Sequence, residues 1–190
     1  MKKLIWCFLL AIACLIVVGC GNTSQNQSTE DIPAPSNEYG TVEKESVETL
    51  VAKFNTQVLK NGSLNPASND YRTTSEQRYW YGLITGIYLI AVPEEFQNDS
   101  QNDSQNEIVD YMVLYVEKGN ENEAMVPDYL KALIQANNDT ITDDEVEKLL
   151  TEAKEKSSTG ETSNNGKGIS IGYIENDDNY QYQVIRLYEK

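Results

Sequence analysis

Histidine is absent from the chain, and its three cysteines, Cys7, Cys14 and Cys20, all fall within the first 20 of 190 residues. The first absence removes the side chain most used as a general base near neutral pH and the commonest metal ligand. The second leaves everything after residue 20 without an intramolecular disulfide, a thiolate nucleophile or a zinc site. Basic residues are scarce as well: 15 lysines and arginines stand against 30 acids, a formal charge of −15, and Lys2 and Lys3 belong to the leading segment. Such a chain is repelled by phosphate backbones and by anionic headgroups, so nucleic acid is excluded as a partner and membrane attachment must be apolar or covalent. No G-x-S-x-G, phosphate-binding loop or S-x-x-K set occurs, and no cofactor or metal is expected.

What is there begins with two lysines, an uncharged apolar run from Leu4 to Val18, a small Gly19 and then Cys20. Charged start, apolar run and small residue are the parts of a secretory signal, and roughly 15 apolar residues fall short of the ~20 that a spanning helix needs. Residues 1–19 are therefore expected to be a cleaved signal peptide. The stretch Val17-Val18-Gly19-Cys20 resembles the lipobox of bacterial lipoproteins, with valine where leucine is commonest. The resemblance implies cleavage between Gly19 and Cys20, lipidation of the Cys20 sulfur and an extracytoplasmic protein anchored to the bacterial cell membrane by its N-terminal lipid. Two acyl chains hold stably where one is marginal, because each buried CH₂ contributes about 0.8 kcal/mol.

After Cys20 the chain reads GNTSQNQSTEDIPAPSNEYG, too polar to offset the entropy of ordering, so residues 20–40 are expected to be a lipidated disordered tether. As a coil it spans roughly 25 Å. Residues 41–190 then read as one globular domain. Val47, Leu50, Phe54 and Val58 recur at helical spacing, which predicts a helix over 42–60 that stops at Asn61-Gly62. Residues 63–75 read as a loop. The segments 79–92 and 108–118 are crowded with aromatic and β-branched residues and are read as two strands, with buried helices as the open alternative.

Between those segments QNDSQNDSQNE repeats a four-residue unit, which marks residues 94–107 as a mobile loop; it lacks the glycine and spaced glutamate of a calcium loop. A helical stripe follows over 122–137. Then Thr142 and Glu145 form a reciprocal capping box, with Ile141 and Val146 placed as its hydrophobic staple, for a helix from 143 to about 155. A polar loop at 157–168 leads to a hairpin with Ile169, Ile171 and Tyr173 in one arm and Tyr180, Tyr182, Val184, Arg186 and Tyr188 in the other, turning at 176–179. The order α-β-β-α-α-β-β predicts an α+β domain, an antiparallel sheet of about four strands packed against helices. The general plan looks like that of small lipoproteins of Gram-positive bacteria, on lipobox, size and composition.

Two chemistries fit this inventory. All twelve tyrosines follow the cleavage point, and a face carrying Tyr180, Tyr182 and Tyr188 suits either contact with a sugar or protein or ordinary cross-strand packing. Paired carboxylates hydrolyse glycosidic bonds without histidine, and Asp70, Asp110 and Glu117 stand near expected strand ends. The leading expectation is a noncatalytic binding or accessory module for a protein or cell-envelope glycan. The alternatives are a carboxylate-dependent envelope hydrolase and, disfavoured by size, a small solute-binding lipoprotein.

Overall fold

Ser46, whose hydroxyl accepts from the Thr49 amide at 3.2 Å, decides where the first helix begins. A computed structural model of the chain describes residues 40–68, 70–73, 78–94, 107–164 and 166–188. The expected signal segment 1–19, Cys20, the expected tether through residue 39 and residues 95–106 of the expected mobile loop lie outside the described residues. With Ser46 as its cap, helix α1 runs Val47–Lys60 rather than from 42. Residues 40–45 instead form an extended strap, fastened by Gly40 N–H to the Gly166 carbonyl (2.9 Å), Val42 N–H to Leu187 (3.0 Å) and Val109 N–H to Glu45 (3.0 Å).

The sheet has seven strands rather than about four, in the order β1-β2-β3-β4-β7-β6-β5, and every pairing is antiparallel. Its strands are β1 Tyr71–Thr73, β2 Tyr79–Ile84, β3 Ile87–Pro93, β4 Val109–Glu117, β5 Ser163–Asn164, β6 Ile169–Glu175 and β7 Asn179–Arg186. The apolar segment 79–92 is extended, as read, but it is a hairpin and not one strand. Thr85 and Gly86 make its turn, with Gly86 in the left-handed conformation (φ +79°) that such turns need. A single strand of that length would run roughly 46 Å, far beyond the usual five or six residues. The remaining two strands, β1 and β5, arise inside the expected loops 63–75 and 157–168. They are two- and three-residue edges that end the sheet without leaving a long row of unpaired amides.

Helices α2 Val126–Asn137 and α3 Asp143–Lys156 complete the layer over one face of the sheet: α2 packs on β4 and β7, α3 on β6 and β5, and α1 on α2. That face presents Tyr81, Leu89, Met112, Leu114, Ile171, Tyr182 and Val184 to Leu50, Phe54, Tyr129, Leu133 and Leu149, all buried. Each large apolar side chain so buried contributes about 1.5–3 kcal/mol. The opposite face carries half-buried Trp80, Tyr88 and Tyr115 in mutual contact at 5.6–6.1 Å. None of the described helices is long and apolar enough to cross a membrane.

The capping box of α3 forms as its sequence dictates, with Thr142 N–H donating to the Glu145 carboxylate (2.8 Å) and Glu145 N–H to the Thr142 hydroxyl (3.4 Å). The same carboxylate meets the Lys167 ammonium at 2.7 Å, joining α3 to the chain beside the strap. Lys167 first, and then the Thr142 amide, hold the Glu145 carboxyl at about 2, below its ordinary 4.5. A depressed folded-state value contributes stability that is complete above pH 4.5 and is lost as pH falls toward 2. Unfolding followed against pH should therefore show wild type exceeding Glu145→Gln at pH 6, with the difference vanishing between pH 4.5 and 2. A difference that stays constant over that window would dissociate this ion pair from acid stability.

Near the far end of β7, Arg186 is sealed from solvent. Its Nε donates to the Tyr188 hydroxyl (3.0 Å), Nη1 to Asn137 Oδ1 (2.9 Å), and Nη2 to the Glu43 carbonyl (2.6 Å) and the Glu45 carboxylate (3.0 Å). One guanidinium thus ties together β7, α2 and the strap.

Candidate functional site

Strand alternation places Tyr180 and Tyr182 on the helix-facing side of β7, and the antiparallel register sets Tyr173 of β6 directly opposite Tyr182. Their ring centroids lie 4.9 Å apart for Tyr173 and Tyr182, 6.1 Å for Tyr173 and Tyr180, and 6.2 Å for Tyr180 and Tyr182. Tyr182 is buried at 3% exposure and forms the floor, while Tyr173 and Tyr180 are half-buried. Across from them α3 brings Leu150 and Lys154, four residues and one turn apart, to the same side, and α2 brings Pro127 and Leu130. These walls enclose an open cleft of about 620 Å³ between the helices and the hairpin end of the sheet. Ligand sites usually occupy ~300–1,000 Å³.

Four charged side chains line this cleft: Lys118, Glu123, Lys154 and Glu175. Lys118 pairs with Glu175 at 2.8 Å, and the Tyr173 hydroxyl donates to the same carboxylate at 2.7 Å. These two contacts, Lys118 first, hold the Glu175 carboxyl below its usual range. It is a settled anion rather than an acid poised to give up a proton. Lys154 holds its ammonium 5.8 Å from the Tyr173 centroid and 5.9 Å from that of Tyr182, in cation–π range of both. Glu123 accepts from the Gly119 amide at 2.8 Å. Burial, followed by the charges of Glu123, Tyr182 and Glu175, pushes the Tyr180 hydroxyl up to about 12. Burial and then Glu175 raise Tyr173 in the same direction, and burial outweighs the opposing Lys154 at Tyr182. The tyrosines are therefore neutral donors at physiological pH.

Of the sequence-derived residues, the structure brings Tyr180 and Tyr182 together in this cleft and places Tyr188 elsewhere. Tyr188 shares their parity but follows the end of β7, about 20 Å of extended chain from Tyr182. Its hydroxyl donates to the Val109 carbonyl and accepts from Arg186, and its ring lies 5.3 Å from the Lys44 ammonium. The three acids do not converge. Asp110 and Glu117 sit seven residues apart on β4, about 23 Å, and Asp70 precedes the edge strand β1, which β2 and β3 separate from β4. Burial, with Glu94 nearby, raises the Asp110 carboxyl.

Tyr173, Lys118, Glu123 and Lys154 were not singled out by sequence reasoning. Only Tyr173 carried a signal, its alternation with Ile169 and Ile171. Among the described residues, no cluster of three or more aspartates, glutamates, cysteines or histidines could hold a metal ion. A smaller recess of about 320 Å³ lies beside Arg186, but both of its cations, Arg186 and Lys53, are already paired with Glu45. No protein-family model matches the chain, and no curated protein or solved structure matches it significantly.

Proposed function

We propose that the protein is a lipid-anchored extracytoplasmic lipoprotein whose domain is a noncatalytic binding or accessory module for a protein or cell-envelope glycan. The observation that carries the binding part is the cleft itself: two half-buried tyrosine rings over a buried third, apolar residues of α2 and α3 opposite, and a carboxylate already neutralised by Lys118. Aromatic walls supply contact area at low entropic cost and suit sugar rings or peptide side chains. The anchor is supported by the leader ending in Val17-Val18-Gly19-Cys20. The acidic composition opposes attachment through anionic headgroups, so the lipid at Cys20 has to do the holding.

Cell fractionation and mass spectrometry test the anchor. Wild type should be found in membranes with a mature N-terminus at lipidated Cys20, and Cys20→Ser should be unprocessed or released; an unmodified thiol at Cys20 would refute it. Pull-down with detergent-solubilised full-length protein tests the module. A protein or glycan should be retained by wild type and lost with Tyr180→Ala. Retention unchanged by Tyr180→Ala would move the site away from this cleft, and shortening of a bound glycan would replace binding by hydrolysis.

A further inference from the structure

The cleft is bipolar. Lys118 and Glu175 form an ion pair; neither of the other two charges is in ion-pair contact among the described residues, although Lys154 also acts on the Glu175 carboxylate at longer range. Half-buried Glu123 has the Gly119 amide as its hydrogen-bond donor and no cation in ion-pair contact among the described residues. Exposed Lys154 rests over two tyrosine rings with no carboxylate in ion-pair contact among the described residues. Each has a local reason to be where it is, since Glu123 precedes the start of α2 and Lys154 lies in the last turn of α3, both favourable ends for their charges. Glu175 faces both Lys118 and Lys154, so one positive charge is left over at that end of the cleft and Glu123 is the uncompensated negative charge at the other; beside aromatic walls such charges act more strongly than in open water.

We infer that this cleft takes a short peptide with a free ammonium and a free carboxylate, the ammonium against Glu123 and the half-buried Tyr180 ring, the carboxylate against Lys154. The inference rests on the binding reading of the same cleft and names a short free peptide, in place of a whole protein or a glycan, as its ligand. An uncharged glycan would hydrogen-bond to both side chains through its hydroxyls but neutralise neither charge. A purely anionic ligand would be opposed by Glu123 and by a chain of net charge −15, and a purely cationic one by Lys154. A dipolar ligand satisfies both ends at once. Half-buried Tyr180 offers a π-face for the ammonium, and Pro127, Leu130 and Leu150 offer apolar contact for the side chains between the two ends.

Calorimetry on the full chain with Ala-Leu-Ala, its N-acetyl form and its C-terminal amide tests this. Free Ala-Leu-Ala should bind. N-acetylation should weaken binding about tenfold in wild type and have little further effect in Glu123→Gln, and amidation should do the same with Lys154→Met, the signature of paired groups. Lys154 is exposed and Glu123 half-buried, and thermal melts of the variants verify that the fold is kept. Equal binding of free and capped peptides would overturn the inference. So would retention of a neutral chitin tetramer without Ala-Leu-Ala, an outcome that leaves the binding reading of the cleft standing. Failure of both probes, together with a pull-down insensitive to Tyr180→Ala, would remove both.

Discussion

Arg186→Met is expected to lower the unfolding free energy by about 3–5 kcal/mol, the range for removing one partner of a buried charge pair. Arginine does not shed its charge on burial, so the native state has to supply acceptors, and it does so from three elements: Asn137 on α2, the Glu43 carbonyl and Glu45 carboxylate on the strap, and the Tyr188 hydroxyl beyond β7. Methionine fills much of the volume and satisfies none of them. The Glu45 carboxylate, 15% exposed, would keep only Lys53 as a counter-ion. Since a domain's whole stability is about 5–15 kcal/mol, the loss should be evident as a large fall in urea midpoint at unchanged m-value. Glu45→Gln should cost less, because the guanidinium keeps its other acceptors, and Arg186→Met combined with Glu45→Gln should recover part of the loss by removing the stranded charge. A midpoint change equivalent to less than about 1 kcal/mol for Arg186→Met would show that the group is not sequestered in solution.

Such a node is not visible in sequence, although its surroundings are. Val47, Leu50, Phe54 and Val58 announce α1 by spacing, and Thr142 with Glu145 announces the start of α3, because both signals are local and act within one or two turns. The β6–β7 hairpin was legible for the same reason, through alternation and an Asn- and Asp-rich turn. The β2–β3 hairpin was hidden because Thr85-Gly86 is embedded in residues apolar on both sides, which mutes the contrast that marks a turn. Strands β1 and β5 carry no signal of their own: three and two residues become strands only because β2 and β6 offer them an edge. The site divides likewise. That Tyr180 and Tyr182 share a face follows from period two, whereas Tyr188 has the same parity and lands at the other end of the sheet. The meeting of Glu123 and Lys154 with those tyrosines depends on how α2 and α3 lie on the sheet, which spacing within each helix does not specify.

The strap that serves Arg186 makes Gly168 its most sensitive neighbour. Gly168 has φ +82°, and a Cβ there would stand 2.5 Å from the Thr41 carbonyl carbon, 2.8 Å from the Val42 nitrogen and 2.9 Å from the Thr41 Cα. All three are backbone atoms, so no rotamer relieves the clash. Gly168→Ala must adopt a conformation costing roughly 1–2 kcal/mol and must also push residues 41–42 outward. That displacement weakens the hydrogen bonds from Gly40 to Gly166 and from Val42 to Leu187. With those losses the expected destabilisation is about 3 kcal/mol, read from denaturant unfolding. Hydrogen exchange should locate it, with protection falling first at the Val42 and Leu187 amides. Because the same strap carries Glu43 and Glu45 to the guanidinium, Gly168→Ala and Arg186→Met should fall short of additivity by at least about 1 kcal/mol when combined. Full additivity would mean that the strap can leave the sheet without disturbing Arg186, and would dissolve the link between the two.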